Sequence, residues 1–291
     1  MHPDESPILG RVKRMVRERV LPNVVRRSAP VSIEAWLAPD EPVPFAEAVA
    51  QEFQPFAIGE PWAAPWGTAW LRVRGTIPAD FGAAPGTSVE LHVDLGWDEN
   101  AVGFNAEGLA WRPDGSTIKG IHPENFAVPI DAAPGESFEL YVEAAANPNV
   151  DKSYTFQPTP LGSKRTAGED PLYSLRGLAV VERDETVFGL QMDLQAIRGL
   201  IDELPSDLTR RADLLRALDR SADALDPDDV AGTAGDARDA LAGVLAVRAS
   251  ESAHRAVAVG HSHIDSAWLW PVRETIRKCA RTWSNVLDMM D

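Results

Sequence analysis

Residues 257–271 read VAVGHSHIDSAWLWP. The apolar run ends at Gly260, and His261, His263 and Asp265 follow at every second position. Alternate side chains of an extended chain point to the same side, so this spacing predicts that the three side chains share one face. Imidazole nitrogen and carboxylate oxygen bind ions such as zinc. The stretch therefore predicts a buried strand, over residues 255–260, that ends in a polar corner able to hold a metal.

A helix is predicted directly after this corner, because Pro271 suits a first helical turn. The apolar residues beyond it recur at intervals of three and four, which predicts a buried helical face: Val272, Ile276, Cys279, Ala280, Trp283 and Leu287. We expect Cys279 to be a buried, unreactive thiol, and Arg273 and Glu274 to pair within the first turn. Strand, corner and helix together predict the start of an α/β domain over residues 255–291, with a ligand site at the carboxyl end of the strand.

One strand and one helix cannot bury a hydrophobic core by themselves. We therefore expect this α/β domain to be truncated and the 291 residues to be the front part of a longer protein. Asp288 and Asp291 lie in the helical pattern and are expected to be surface charges.

Strand patterns dominate the middle of the chain. Apolar and polar residues alternate over three segments separated by Pro- and Gly-containing turns, which predicts an antiparallel β-sandwich over residues 61–185: the segments are 70–77, 89–95 and 138–144. Tryptophans in this region could stack on sugars, but packing in the core is the favoured interpretation: they are Trp62, Trp66, Trp70, Trp97 and Trp111.

Helical patterns lie on both sides of this section. Residues 1–60 are predicted to form a helical and wrapping segment, which includes an amphipathic helix over residues 8–27. Residues 186–254 are predicted to form a helical linker region, because three stretches show helical periodicity: 187–204, 207–225 and 236–254. The fold class expected for the whole chain is thus α+β multidomain.

Composition narrows the classes of function. A net charge of -16 and a pI of about 4.8 argue against a nucleic-acid or anionic-membrane partner. The single cysteine excludes an internal disulfide, no apolar run is long enough to span a bilayer, and the N-terminus shows no hydrophobic core of the signal-peptide kind. We expect a cytoplasmic protein.

Residues 261–282 read HSHIDSAWLWPVRETIRKCART, and this long, unusual segment closely resembles the glycoside hydrolase family 38 α-mannosidases of the cytosolic/vacuolar and bacterial branch. The β-section is also similar to that branch, at residues 97–100 (WDEN) and 143–147 (EAAAN). The resemblance covers nearly all of this chain but only the front of a family member. It implies that the truncated α/β domain is the first strand and helix of a β/α-barrel-like catalytic domain.

The resemblance also implies roles for individual residues. His263 and Asp265 would ligate one zinc ion, with cobalt the other divalent metal considered, and Trp268 would line the pocket for the terminal mannose. His261 is expected to contact substrate or to support the zinc ligands. The family is retaining and uses two carboxylates, one as nucleophile and one as acid and base. Both are expected downstream of this chain, as is the remaining histidine ligand, so the 291 residues alone are predicted to be inactive.

Two other interpretations remain open. In an amidohydrolase-type metal hydrolase, His261 and His263 would both be metal ligands and a metal-bound hydroxide would attack. In a non-catalytic carbohydrate-binding or assembly module, the β-section would be the working part. The expected partner of the α-mannosidase is a mannose-containing oligosaccharide, and the resemblance suggests a homo-oligomer.

Overall fold

The computed structural model describes residues 5–97, 103, 105–150, 157–248 and 254–290. Asp98, Glu99 and Asn100, which contribute to the resemblance, lie outside the described residues, as does Asp291. The chain divides into two compact units. A helical unit contains Met1–Ser28, Gly82–Ser88 and Glu182–Val259, and a β-unit contains Ala29–Phe81, Val89–Val181 and Gly260–Asp291.

The described residues form twelve strands. In chain order they are β1 (Val25–Pro30), β2 (Ser32–Ala38), β3 (Gln54–Pro55), β4 (Pro61–Trp62), β5 (Thr68–Thr76), β6 (Thr87–Asp94), β7 (Glu107–Trp111), β8 (Thr117–Ile121), β9 (Ala127–Pro129), β10 (Ser137–Ala145), β11 (Tyr173–Ser174) and β12 (Gly177–Asp184). The larger sheet has the order β3-β2-β5-β10-β7-β8, a four-stranded sheet has the order β1-β12-β6-β9, and β11 pairs with β4.

Alternation along the strands builds the core of the β-unit. In β10, Leu140, Val142 and Ala144 are buried in that core, whereas Glu139, Tyr141 and Glu143 project from the other face of the larger sheet. Side chains from the four-stranded sheet complete the same core, among them Leu91, Val93, Val128 and Val180. The expected antiparallel sandwich is confirmed. The five tryptophans of this region were expected to pack inside the protein. Four of them are buried: Trp62, Trp66, Trp70 and Trp97.

The helices of the described residues are α1 (Glu5–Met15), α2 (Leu21–Val24), α3 (Phe45–Ala48), α4 (Glu185–Glu203), α5 (Thr209–Ala224), α6 (Val230–Leu245) and α7 (Val272–Asp288). A π-helical turn, Val16–Val20, joins α1 to α2. The helical unit has its own core, to which α1, α4, α5 and α6 contribute Val12, Leu190, Leu218 and Leu241. Asp184 begins α4 by accepting hydrogen bonds from the backbone N–H groups of Thr186 and Val187, each at 3.0 Å. No helix of the described residues is long and apolar enough to cross a bilayer.

The sandwich begins earlier than predicted, because β1 and β2 fall inside the segment 1–60 that was expected to be helical and wrapping. β2 pairs with β5 along its whole length, and Ile33 and Ala35 reach the core. The two-residue alternation of β2 was present in the sequence. Assignment of β2 to the sandwich required β5, the strand with which it pairs, and the paired residues are thirty or more positions apart in the chain.

The predicted strand at residues 255–260 is wrong. Residues 254–264 contain no helix or strand, and Val257 is 88% exposed. A strand is stable only when a neighbour satisfies its backbone groups and covers its apolar side chains. Among the described residues no such neighbour pairs with this stretch, so its apolar composition alone did not produce a strand.

The helix predicted after Pro271 is confirmed as α7, but the predicted buried face is wrong. Ile276 is 70% exposed and Trp283 is 63% exposed, and Val272 and Leu287 are exposed as well. Cys279 is only partly buried. The helix buries its polar face instead.

Shortening a buried side chain of α4 tests the assigned core of the helical unit. Leu190→Ala should lower the free energy of unfolding by about 2–5 kcal/mol, because Leu190 is fully buried and its truncation leaves a cavity. Leu200→Ala, at a 41% exposed position of the same helix, should change it by less than about 0.5 kcal/mol. Urea unfolding followed by circular dichroism measures both, and equal losses would contradict the assigned core.

Candidate functional site

His263 and Asp265 are brought together at the corner before α7. The His263 Nε2 atom lies 3.2 Å from Asp265 Oδ1, and the His263 side chain is 78% exposed. Two ligand atoms at zinc distances of about 2.0–2.1 Å and a tetrahedral angle lie about 3.4 Å apart. The pair therefore fits two positions of a zinc shell. The described part of the chain contains no group of three or more His, Cys, Asp or Glu side chains that could complete it.

Thr275, in the first turn of α7, holds this corner in place. Its hydroxyl lies 2.6 Å from the carbonyl oxygen of Ser266 and 3.2 Å from that of Asp265, and it accepts a hydrogen bond from the indole N–H of Trp270 at 3.1 Å. The sequence reasoning did not single out Thr275. Thr275 stands four residues after Pro271, near the start of the predicted helix. Threonine hydroxyls often bond to nearby backbone groups at helix starts, and this signal could have identified it.

His261 and Trp268, the two expected substrate contacts, line different cavities of the β-unit. Trp268 is half-exposed and packs edge-to-face against Trp270, with ring centroids 5.7 Å apart. It lines a cavity of about 1050 Å³. His261 lines a second cavity of about 790 Å³ together with His263. His261 and Trp268 therefore face different cavities, and Trp270 lines both.

The buried face of α7 is polar. Its members recur at helical spacing: Glu274, Arg277, Lys278, Arg281 and Ser284. They lie against the outer face of the larger sheet. Glu107 of β7 pairs with Ala145 of β10, and Glu143 lies two residues from Ala145 on the same strand. Glu107 and Glu143 therefore project from the same side of the sheet. Charged side chains are rarely buried unless they are paired, and here each cation meets a carboxylate.

Glu274 is the centre of this cluster. Its carboxylate accepts hydrogen bonds from the Asn147 amide at 2.7 Å, from Arg277 Nε at 2.8 Å and from Arg281. Burial by itself would raise the pKa of Glu274, but the charges of Arg281 and Arg277 outweigh it and lower the pKa to about 2. Arg273, expected to be its partner, instead pairs with Glu41 at 3.0 Å.

The remaining pairs complete the charge balance. Glu107 lies 3.0 Å from Lys278 Nζ and 2.8 Å from Arg281 Nη2, and Glu143 lies 3.2 Å from Arg277 Nη1. Burial would lower the pKa of Arg281, yet Glu274 and Glu107 raise it above its ordinary value. Three carboxylates therefore neutralise three cations between the helix and the sheet.

Close backbone approach at β8 fixes the distance of α7 from the sheet. A Cβ atom at Gly120 would lie 2.9 Å from the carbonyl oxygen of Arg281, so only glycine fits without displacement of the helix. The Gly120 N–H donates to Asn285 Oδ1 at 2.9 Å, and Lys119 pairs with Asp288 at 3.0 Å. Asp288, expected to be a surface charge, is thus an anchor of the helix.

Two segments of the chain match models of known protein families. The model of the α-mannosidase jelly roll domain matches residues 29–181, and the model of the glycosyl hydrolases family 38 N-terminal domain matches residues 253–291. Human α-mannosidase 2C1 is 33% identical over 282 residues and mouse α-mannosidase 2C1 is 31% identical over 277 residues; each alignment covers 91% of this chain and 24% of the relative. Dictyostelium discoideum α-mannosidase G is 23% identical over 290 residues, which cover 95% of this chain and 24% of that protein.

The sandwich of the β-unit is accordingly a jelly roll of the α-mannosidase type. The chain belongs to the α-mannosidases of glycoside hydrolase family 38. It spans about a quarter of the length of the curated relatives that it matches.

Breaking the buried cluster should be costly. Arg281→Met removes a cation that Glu274 and Glu107 share, which leaves three buried carboxylates against two cations, and should lower the free energy of unfolding by about 3–5 kcal/mol. Arg273→Met, which removes a more exposed pair on the same helix, should cost about 0–1 kcal/mol. Denaturant unfolding followed by tryptophan fluorescence compares them, and equal effects would contradict a buried, coupled cluster.

The cluster also predicts acid sensitivity. Because the pKa of Glu274 is about 2 in the folded chain against an ordinary 4.5, its ionisation stabilises the fold above about pH 4.5, and this contribution is lost as the pH falls towards 2. Glu274→Gln should remove that part of the pH dependence, whereas Glu60→Gln, at an exposed position, should not. Unfolding free energies measured at several pH values in this range test the sign, and parallel curves for wild type and Glu274→Gln would refute it.

Proposed function

We propose that this chain is the N-terminal portion of a zinc-dependent, retaining α-mannosidase that removes terminal α-D-mannose from oligosaccharides. The observation that carries the proposal is the 3.2 Å contact between His263 and Asp265, inside the segment matched by the family 38 model. Their relative placement suits two ligands of one zinc ion. We further propose a cytoplasmic, homo-oligomeric enzyme.

In this proposal His263 and Asp265 supply an imidazole nitrogen and a carboxylate oxygen to the ion. A zinc ion held by these two residues would supply coordination for sugar hydroxyls and would favour distortion of the ring rather than activation of water. Thr275 keeps the Asp265 backbone in place through its hydroxyl. Trp268 offers a half-exposed ring on which the apolar face of the terminal mannose can pack.

The 291 residues alone are proposed to be inactive. Retaining hydrolysis needs a nucleophilic carboxylate and a second carboxyl about 5–5.5 Å away that acts as acid and base. The buried carboxylates of the α7 cluster do not serve, since Glu274, Glu107 and Glu143 are each engaged by cations. The pair would come from polypeptide beyond Asp291.

Zinc binding by variants tests the ligand assignment. Titration calorimetry with zinc should show weak binding to the 291-residue chain, because only two ligands are present, and His263→Ala or Asp265→Ala should weaken it roughly ten-fold or more. His254→Ala, at an exposed histidine before the motif, should leave it unchanged. If His261→Ala weakens zinc binding as strongly as His263→Ala, the amidohydrolase interpretation replaces this one.

Turnover tests the activity. Translation of the coding DNA beyond the codon for Asp291 should yield a longer protein that hydrolyses an aryl α-mannoside with zinc, whereas the 291-residue chain should show no turnover. Appreciable hydrolysis by the 291-residue chain, or a stop codon directly after Asp291, would overturn the proposal in its present form.

A further inference from the structure

Trp270 lies between the corner that holds His263 and Asp265 and the first turn of α7. Its side chain is half-buried, and it lines both cavities described above. The residues that contact its indole include Trp268, Thr275 and Lys278. The contacts of Lys278 and Thr275 connect Trp270 to different parts of the β-unit.

Lys278 connects the indole ring to the jelly roll. Its ammonium group lies over the ring of Trp270, 4.5 Å from the ring centroid. A cation over an indole face is attracted by the π-electrons, and the attraction is stronger when the groups are withdrawn from water. Lys278 is only 7% exposed, and its ammonium group also donates to Glu107 of β7 at 3.0 Å and to the carbonyl oxygen of Gly103 at 3.0 Å. The sheet therefore holds the ammonium group, and the ammonium group holds the ring.

Thr275 connects the same indole to the corner. The indole N–H of Trp270 donates to the Thr275 hydroxyl at 3.1 Å. A hydroxyl group has one hydrogen to donate, so the bond that it accepts from Trp270 leaves this hydrogen free for a backbone carbonyl. The hydroxyl lies 2.6 Å from the carbonyl oxygen of Ser266 and 3.2 Å from that of Asp265. Trp270 thus orients the group that holds the backbone carrying the Asp265 carboxylate.

The two connections join into one series of contacts that runs from β7 to the corner. Its members are, in order, Glu107, Lys278, Trp270, Thr275 and the backbone of Asp265. Energetic coupling between distant groups is carried by side chains in direct contact, which this series provides. The position of the Asp265 carboxylate is therefore sensitive to a cation that is bound to the jelly roll.

We propose that Lys278 and Trp270 are positioning residues through which the jelly roll fixes the place of the Asp265 carboxylate. The inference rests on the proposed function, because Asp265 is the expected zinc ligand. Lys278 and Trp270 offer only donor N–H groups, so they would not ligate the ion themselves. Residues that orient metal ligands contribute to affinity without touching the metal, and their loss typically weakens binding by about 10–100-fold.

Exchange of the Trp270 indole proton with solvent tests the connection without any metal. In the 291-residue chain, Lys278→Met should speed this exchange about three-fold or more, because protection of a hydrogen-bonded N–H depends on how often the bond opens. NMR of the ¹⁵N-labelled chain measures the rate, and the absence of the signal from Trp270→Phe assigns it.

Lys119→Met is the matched control for Lys278→Met. Lys119 is 8% exposed and also anchors α7 to the sheet, but its partner is Asp288, at the other end of the helix. The same substitution there removes a cation that is similarly buried without removing a contact of the Trp270 ring. Exchange of the Trp270 indole proton should therefore stay at the wild-type rate.

Zinc calorimetry on the same chain tests the consequence for the corner. Lys278→Met and Thr275→Val should each weaken zinc binding about ten-fold. Thr275→Ser, which keeps the hydroxyl, and Lys119→Met should bind zinc like wild type. Circular dichroism checks that each variant is folded. Should Lys278→Met not fold, Trp270→Phe, which keeps a ring but lacks the N–H, provides the zinc test and should also weaken binding.

Two results would overturn the inference. One is an indole exchange rate that Lys278→Met leaves unchanged, and the other is a zinc affinity that Lys119→Met lowers as much as Lys278→Met does. A wild-type chain without measurable zinc affinity would count against the proposed function instead. The exchange rates would then still decide whether Lys278 positions Trp270.

Discussion

The structure depends on the burial of one carboxylate, that of Glu274, between the guanidinium groups of Arg277 and Arg281. A buried charge is tolerated only when it is paired and hydrogen-bonded, and removal of one partner leaves the others uncompensated. Glu107 and Glu143 on the sheet complete the set, so helix and sheet neutralise each other. The requirement is local, but it decides which side of α7 faces the jelly roll.

The orientation of α7 controls what the chain can offer to a ligand. Because the polar face is turned inward, the first turn of the helix brings Thr275 to the backbone of Asp265 and Ser266, and it brings Arg273 to Glu41. The packing of α7 against the sheet thus sets both the position of His263 and the wall of the cavity that Trp268 lines. The jelly roll is in this sense part of the candidate site and not only a neighbour of it.

The same docking leaves an apolar stripe on the outer side of α7, where Ile276 and Trp283 are exposed. The helix therefore has two faces of opposite character, each suited to a different surface. A stripe at this spacing ordinarily packs against apolar side chains.

The sequence by itself determined the family, the antiparallel sandwich, the helical patterns and the adjacency of His263 and Asp265, because each rests on local spacing or on a long, unusual motif. It did not determine that β2 belongs to the sandwich, since that needs β5, or that residues 255–260 form no strand, since no neighbouring strand among the described residues pairs with them. The amphipathic pattern of α7 predicted a helix with two faces but not which one is buried. Only the tertiary structure decided this, because the carboxylates that pair with Arg277, Lys278 and Arg281 come in part from strands more than 130 residues away in the chain.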